Sequence, residues 1–137
     1  MIKLRNISKT YELGEDVVHA LTNISLEIKP KEYISILGSS GSGKSTLMYI
    51  VGLLEKPTLG NIFFYHKDVA KLNDRELSII RNKEVGFVFQ SFNLINKYTV
   101  LENVLLPIKY SKNKLDFDPY DWANELLKRF GIYDRKD

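Results

Sequence analysis

The chain has 137 residues, 44% of them apolar and 27% charged, and it contains no cysteine. This length and composition predict about one globular domain with a core of its own, and they exclude disulfide bonds and thiolate metal sites. The longest apolar run, Leu47 to Leu54, is far shorter than the roughly 18 residues that a membrane span needs. The N-terminus is charged and lacks an apolar signal core, so we expect no export.

The net charge of +3 comes from 20 basic and 17 acidic residues, which are interspersed along the chain. A nucleic-acid-binding protein usually concentrates its basic excess on one face. We therefore predict an ordinary solvated surface and no nucleic-acid partner.

Short runs typical of β-strands dominate the first part of the chain. They include residues 1–8 and the segment from Ile24 to Ile28, whose alternating apolar positions predict an antiparallel strand with one buried face. Tyr33 to Leu37 and Asn61 to His66 are predicted strands too. Val85 to Phe89 is continuously apolar, which is typical of a strand buried on both faces.

Two helix starts have the spacing of a capping box, namely Asn73 with Glu76 and Thr99 with Glu102. We expect Pro107 to limit the second of these helices. A further helix is predicted after an Asp118 cap, with Pro119 in its first position and Gly131 at its end. Its apolar stripe consists of Trp122, Leu126, Leu127 and Phe130. Strands interleaved with helices predict an α/β layer fold, with the early antiparallel strands in a smaller sheet beside it.

Residues Gly38 to Ser45 read GSSGSGKS and match the pattern G-x-x-x-x-G-K-[ST], between a predicted strand and a helix-like run from Lys44 to about Leu54. Glycines let several backbone N–H groups turn toward a phosphate, and the helix N-terminus adds its positive end. Lys44 can reach the β- and γ-phosphates, Ser45 can offer its hydroxyl to Mg²⁺, and Thr46 can touch the α-phosphate. A plain glycine-serine turn is the alternative. We predict a nucleoside-triphosphate site formed by Gly38, Ser39, Ser40, Gly41, Ser42, Gly43, Lys44, Ser45 and Thr46.

Three segments resemble the ATPases of ATP-binding-cassette (ABC) transporters. Tyr11 to Ile28 is similar to their A-loop and antiparallel strands, Leu37 to Phe64 to their Walker A region, and Gly86 to Pro107 to their Q-loop region. The stretches GFVFQSFNL and ENV, the latter followed by proline, are typical of the lipoprotein-release and macrolide-export subgroup. The resemblance covers about residues 1 to 110.

The resemblance implies an α/β fold of the P-loop NTPase class, ABC ATPase type, with a small antiparallel β subdomain and the start of a helical subdomain. It divides a partial nucleotide-binding domain into residues 1–90, with the β subdomain and the P-loop core, and residues 91–137, with the Q-loop and an incomplete helical subdomain. The C-terminal part of the fold is expected to be missing. Nothing in the sequence matches the signature motif, an apolar run ending in Asp-Glu (Walker B), or a switch histidine.

The resemblance also implies residue roles, with ATP and Mg²⁺ as the ligands. Tyr11 would stack on adenine, and Gln90 would be the catalytic Q-loop glutamine and a Mg²⁺ ligand beside Ser45. Tyr11 could instead be a half-buried structural tyrosine, and Gln90 could only satisfy backbone groups. Lys31 and His66 stand where the family usually has glycine, and we expect adjusted turns there. For His19 and His66 we expect surface or structural roles.

The implied function is that of an ATP-binding subunit, which couples ATP binding and hydrolysis to transport by transmembrane permease subunits. Its full-length form would pair with a second ATP-binding subunit as a homodimer, in the cytoplasm on the inner face of the cell membrane. We expect this chain alone to bind nucleotide weakly, to hydrolyse it poorly and to self-associate through an exposed sheet edge. The alternative is a non-catalytic nucleotide-binding or interaction fragment from a truncated gene. A P-loop kinase is disfavoured because GFVFQSFNL has no place in one.

Overall fold

A long antiparallel hairpin forms the first part of the molecule. Its strands are β1 (Ile2–Leu13) and β2 (Asp16–Ile28), and their register places Ile2 opposite Ile28. The structure is a computed structural model that describes residues 1–111 and 115–137. β3 (Leu59–Phe64) pairs with the other edge of β1, and β4 (Lys67–Asp68) pairs with β3, so the strand order is β2-β1-β3-β4. The predicted small antiparallel sheet is therefore confirmed.

The core of this part brings the sheet together with helices α1 (Lys44–Val51) and α2 (Asp74–Glu84). Ile50 of α1 and Leu77 of α2 are almost completely buried, and burying each such side chain stabilises the fold by about 1.5–3 kcal/mol. The capping box predicted at the start of α2 is present, since Asn73 and Glu76 each accept a hydrogen bond from the other's backbone N–H. The buried cluster consists of Leu4, Ile7, Leu21, Ile50, Leu53, Ile62, Val69 and Leu77.

The turns at Lys31 and His66 are adjusted as expected, because both residues have a positive φ, of 64° and 71°. His66 and Tyr65, with φ of 45°, form the two-residue loop between β3 and β4. Two consecutive positive φ angles are typical of a type I′ hairpin turn. L-residues carry strain in this region, so both positions hold backbone strain that glycine would avoid.

Helices make up much of the chain's second part. α3 (Val100–Lys109) begins with the predicted capping box between Thr99 and Glu102. The expectation that Pro107 limits this helix is wrong, because Pro107 lies inside it. The N–H groups of Tyr110 and Ser111 donate to the carbonyls of Pro107 and Ile108, so the last turn continues past the proline.

α4 (Pro119–Arg129) begins as predicted, with the Asp118 carboxylate accepting hydrogen bonds from two backbone N–H groups of the first turn. A short 3₁₀ helix follows at Tyr133–Arg135. The predicted apolar stripe is only partly right. Leu127 is buried, and so is Ala123, but Trp122 and Phe130 are exposed because the buried face of α4 centres on the two smaller residues.

Two predicted strands are wrong. Neither Tyr33 to Leu37 nor Val85 to Phe89 pairs with another strand among residues 1–111 and 115–137. Tyr33 is 92% exposed and Val88 is 97% exposed, so the second segment is not buried on both faces either. An apolar run becomes a strand only when a neighbour supplies its ladder of hydrogen bonds, and no described residue does so here.

The chain divides into two compact units, Met1–Arg81 and Asn82–Asp137. The predicted division into residues 1–90 and 91–137 remains a prediction. None of the helices in the described part of the chain has both the length and the apolar character that a membrane crossing requires.

Candidate functional site

The loop from Gly38 to Gly43 leads directly into α1, and Gly43 caps the helix with a φ of 82°. A Cβ at this position would overlap the carbonyl oxygen of Ala20 in β2, so both the backbone angle and the available space require glycine. Within the described ranges no side chain caps α1, and its first turn holds no acidic residue. The N–H groups of this turn therefore point into the site with the positive end of the helix dipole, which favours an anion.

The side chain of Lys44 lies folded over the loop that precedes it. Its ammonium group donates to the carbonyl oxygen of Ser39 and lies 3.4 Å from the hydroxyl of Ser42. The loop also packs closely on itself, because a Cβ at Gly38 would lie 2.6 Å from the Ser42 hydroxyl. The loop therefore surrounds one positive charge, next to the N-terminus of α1.

A cavity of about 310 Å³ joins this loop to the β1–β2 hairpin. Tyr11 opens onto it from β1, and three residues of β2 line its side. Ten of the predicted site residues belong to the first unit. Three of them do not line the cavity, namely Gly38, Ser39 and Ser40. The carbonyl oxygen of Ser39 accepts the hydrogen bond from Lys44. The structure brings the other seven together with β2. The complete lining is Tyr11, Val18, His19, Ala20, Gly41, Ser42, Gly43, Lys44, Ser45 and Thr46.

The position of Tyr11 is fixed by a carboxylate. Its hydroxyl donates to Glu55 Oε2 at 2.7 Å, and Lys9 Nζ lies 2.9 Å from Glu55 Oε1. Burial and the bond to Glu55 raise the pKa of Tyr11 above its ordinary value of 10.0, against the opposing effect of the Thr46 hydroxyl. Burial also acts to raise the pKa of Glu55, but the hydrogen bonds from Tyr11 and Lys9 outweigh it, so this pKa lies below its ordinary value of 4.5.

The sequence predictions did not include Glu55, Lys9 or the cavity residues of β2. The hairpin register was the available signal for β2, because pairing of β1 with β2 places Val18 opposite Tyr11. His19 is exposed, as expected, and its Nδ1 lies 3.3 Å from the hydroxyl of Thr10, but it also lines the cavity. For Glu55 the sequence held no comparable signal.

Gln90 belongs to the second unit, in a bend that follows the segment from Val85 to Phe89. Its side chain is exposed. Its role as a Mg²⁺ ligand remains a prediction.

A glycine loop before an α-helix, a lysine folded over it and a hydroxyl residue next to that lysine are typical of P-loop nucleotide-binding proteins. The sequence profile of the ABC transporter family matches residues 21–137. The chain belongs to the ABC transporter family. Members of this family bind ATP, usually with Mg²⁺.

Individual relatives point to the same group. An ABC transporter ATP-binding protein of Methanocaldococcus jannaschii, MJ0796, is 52% identical over 108 residues, which make up 79% of this chain and 46% of the relative. The macrolide export ATP-binding/permease protein MacB of Chlorobaculum tepidum is 44% identical over 140 residues, covering 100% of this chain and 21% of MacB. The resemblance to the macrolide-export type, found in the sequence, is confirmed.

Solved structures support the fold class. The dimeric structure of MJ0796 in a post-hydrolysis state, bound to ADP and Pi, superposes with a TM-score of 0.83 at 47% identity. The match covers 93% of this chain and 56% of that one. The predicted P-loop NTPase fold of the ABC ATPase type is therefore confirmed. The chain spans about half the length of MJ0796, the relative it matches at highest identity among those described.

Proposed function

We propose that this chain is the ATP-binding part of an ABC transporter subunit and binds ATP in the cavity between Tyr11 and the glycine loop. The observation that carries the proposal is the cavity itself. It places an aromatic ring in the same space as a lysine ammonium group and an uncapped helix N-terminus. Aromatic faces suit a nucleobase, while helix N–H groups and a cation suit a phosphate chain.

The residues present fit the phosphate chain and Mg²⁺. Gly43 lines the cavity and has no side chain, so its backbone can approach a ligand there. Ser45 lines the cavity and offers a hydroxyl oxygen. Mg²⁺ prefers such oxygen ligands and usually completes its shell with phosphates and water. Bound Mg²⁺ would neutralise part of the charge on the β- and γ-phosphates.

We further propose that the complete subunit acts at the inner face of the cell membrane, with transmembrane permease subunits and a second ATP-binding subunit. Two relatives support this proposal. MacB of C. tepidum is named as an ATP-binding/permease protein, and MJ0796 was solved as a dimer bound to ADP and Pi. The chain's own contribution would be to hold the nucleotide through Lys44 and the first turn of α1.

A titration with a fluorescent ATP analogue tests the proposal, with and without Mg²⁺, on the unaltered chain and on Lys44→Ala. Loss of the ammonium group should weaken binding about 10- to 100-fold, the scale of a charged hydrogen bond. Lys3→Ala is a matched control, because Lys3 is also a lysine of the first unit but pairs with Glu27 outside the cavity. Equal binding by the unaltered chain and Lys44→Ala would remove the proposal.

A further inference from the structure

A hydrogen-bonded group of three side chains lies beside the proposed nucleotide cavity. It consists of Lys9, Tyr11 and Glu55, and only Tyr11 lines the cavity itself. Glu55 uses one carboxylate oxygen for the Tyr11 hydroxyl, at 2.7 Å, and the other for the Lys9 ammonium group, at 2.9 Å. The side chains of Lys9 and Glu55 are only 15% and 24% exposed, so the ion pair is partly shielded from water.

Glu55 is attached to the end of the helix that begins at the glycine loop. The N–H groups of Leu54 and Glu55 donate to the carbonyl oxygen of Tyr49 in α1, at 2.8 and 3.2 Å. Leu53, with a φ of 59°, reverses the chain there and is 3% exposed in the core. The backbone of Glu55 is therefore anchored to α1, whose other end follows the glycine loop.

Lys9 restricts the ring of Tyr11 from one side. Its ammonium group lies 5.0 Å from the centre of the ring, over one face, and also donates to the carbonyl oxygen of Lys56 at 2.9 Å. A planar ring has two faces, and a base can stack only on a free one. Lys9 thus leaves the opposite face of Tyr11 for a ligand.

We infer that Glu55 is a positioning residue of the nucleotide site. Together with Lys9, it holds the Tyr11 ring at a fixed place relative to the glycine loop. One face of the ring is thereby left open to the base. The inference rests on the proposed function. A ring that is already fixed loses little freedom when a base stacks on it, so less binding energy is spent on ordering. The proposed phosphate site is the glycine loop and the first turn of α1, and neither Lys9 nor Glu55 lines the cavity there.

The test compares ATP with inorganic tripolyphosphate, which has the phosphate chain but no base, by calorimetric titration of the 137-residue chain. Glu55→Ala should weaken ATP binding about three- to tenfold, the scale of one hydrogen bond, and leave tripolyphosphate binding unchanged. Tyr11→Phe removes only the hydroxyl and should cause the same loss. The double variant should lose no more than either single one, because both changes break the same bond. Glu55→Gln keeps an acceptor oxygen and should bind ATP more tightly than Glu55→Ala.

Glu27→Ala is the matched control, since Glu27 forms a 2.6 Å ion pair with Lys3 in the same sheet, away from the cavity. This variant should change neither the affinity for ATP nor the affinity for tripolyphosphate. The inference is overturned if Glu55→Ala binds ATP as tightly as the unaltered chain does, or if its affinities for ATP and for tripolyphosphate fall equally. It is also overturned if the affinity losses of Glu55→Ala and Tyr11→Phe add in the double variant, or if Glu55→Gln binds ATP no better than Glu55→Ala. In those cases Lys44-dependent ATP binding still stands. If the unaltered chain binds ATP no better than Lys44→Ala, the proposed function fails and the inference with it.

Discussion

The backbone of Gly43 lies so close to the carbonyl oxygen of Ala20 that a Cβ at position 43 would overlap it. This contact joins β2 to the N-terminus of α1, and both residues line the cavity. Gly43→Ala should therefore destabilise the chain by about 3 kcal/mol, from backbone strain at positive φ plus steric overlap. ATP binding should fall more than about tenfold, since the loop has to move away from β2. Urea denaturation and an ATP titration measure the two effects.

Gly41→Ala is the control for that contact. Gly41 also has a positive φ, of 76°, but a Cβ there would meet no atom within 4 Å. It should cost about 1 kcal/mol, from backbone strain alone. If the free energy of unfolding falls equally in the two alanine variants, the steric overlap between position 43 and Ala20 contributes nothing to the loss.

Asn103 organises the segment that precedes α3. Its Oδ1 accepts from the N–H of Ile95 at 2.9 Å, and its Nδ2 lies within hydrogen-bonding distance of the carbonyls of Ile95, Tyr98 and Thr99. Asn103→Asp replaces the donor with a carboxylate oxygen that faces carbonyls, and it should lower the free energy of unfolding by about 2–3 kcal/mol. Urea denaturation at pH 7 provides the measurement.

Asn82→Asp is a suitable comparison, because among residues 1–111 and 115–137 the Asn82 amide makes one hydrogen bond, to the carbonyl of Pro107 at 3.1 Å. We expect it to cost about 1 kcal/mol or less. If Asn103→Asp is as stable as Asn82→Asp, the hydrogen bonds of the Asn103 side chain do not stabilise the fold to the extent predicted.

The loop between β3 and β4 offers a stabilising change. Tyr65 and His66 both have positive φ, which asparagine and glycine adopt at lower cost. Tyr65→Asn combined with His66→Gly should raise the free energy of unfolding by about 1 kcal/mol, seen as a higher melting temperature. His66→Ala removes the imidazole but keeps a Cβ, and it should give no such gain. A gain of equal size in His66→Ala would mean that the side chain, and not the backbone, carries the strain.

The features that sequence analysis predicted correctly are local. A capping box needs only two residues three positions apart, so the pairs at Asn73 and Thr99 could be found without knowledge of the fold. The glycine loop likewise carries its geometry in its own eight residues. The antiparallel sheet followed from alternation within single strands, which depends on one buried face and not on the identity of the neighbour.

The failures concern partners that lie far away in the sequence. Tyr33 to Leu37 has the composition of a strand, but strand formation depends on a neighbour that composition does not reveal. The hydrogen bond between Glu55 and Tyr11 joins residues that are 44 positions apart. They meet only because the turn after α1 lies beside β1 in the folded chain. The exposed Trp122 shows the same limit in α4, because the buried face is chosen by what packs on it.

The pKa of Glu55 gives the stability of the chain a specific dependence on pH. Because this pKa lies below 4.5 in the folded state, the folded chain binds the proton less readily than the unfolded chain. The contribution of Glu55 to stability is therefore complete above pH 4.5 and is lost as the pH falls through the lower folded-state value.

The stability difference between the unaltered chain and Glu55→Gln, measured by urea denaturation, should shrink as the pH is lowered from 7 through this range. Tyr11→Phe keeps the carboxylate but removes its hydrogen bond, so it should weaken the pH dependence without abolishing it. A difference that stays constant down to the most acidic pH at which the chain folds would show that the Glu55 carboxylate is not stabilised by Tyr11 and Lys9.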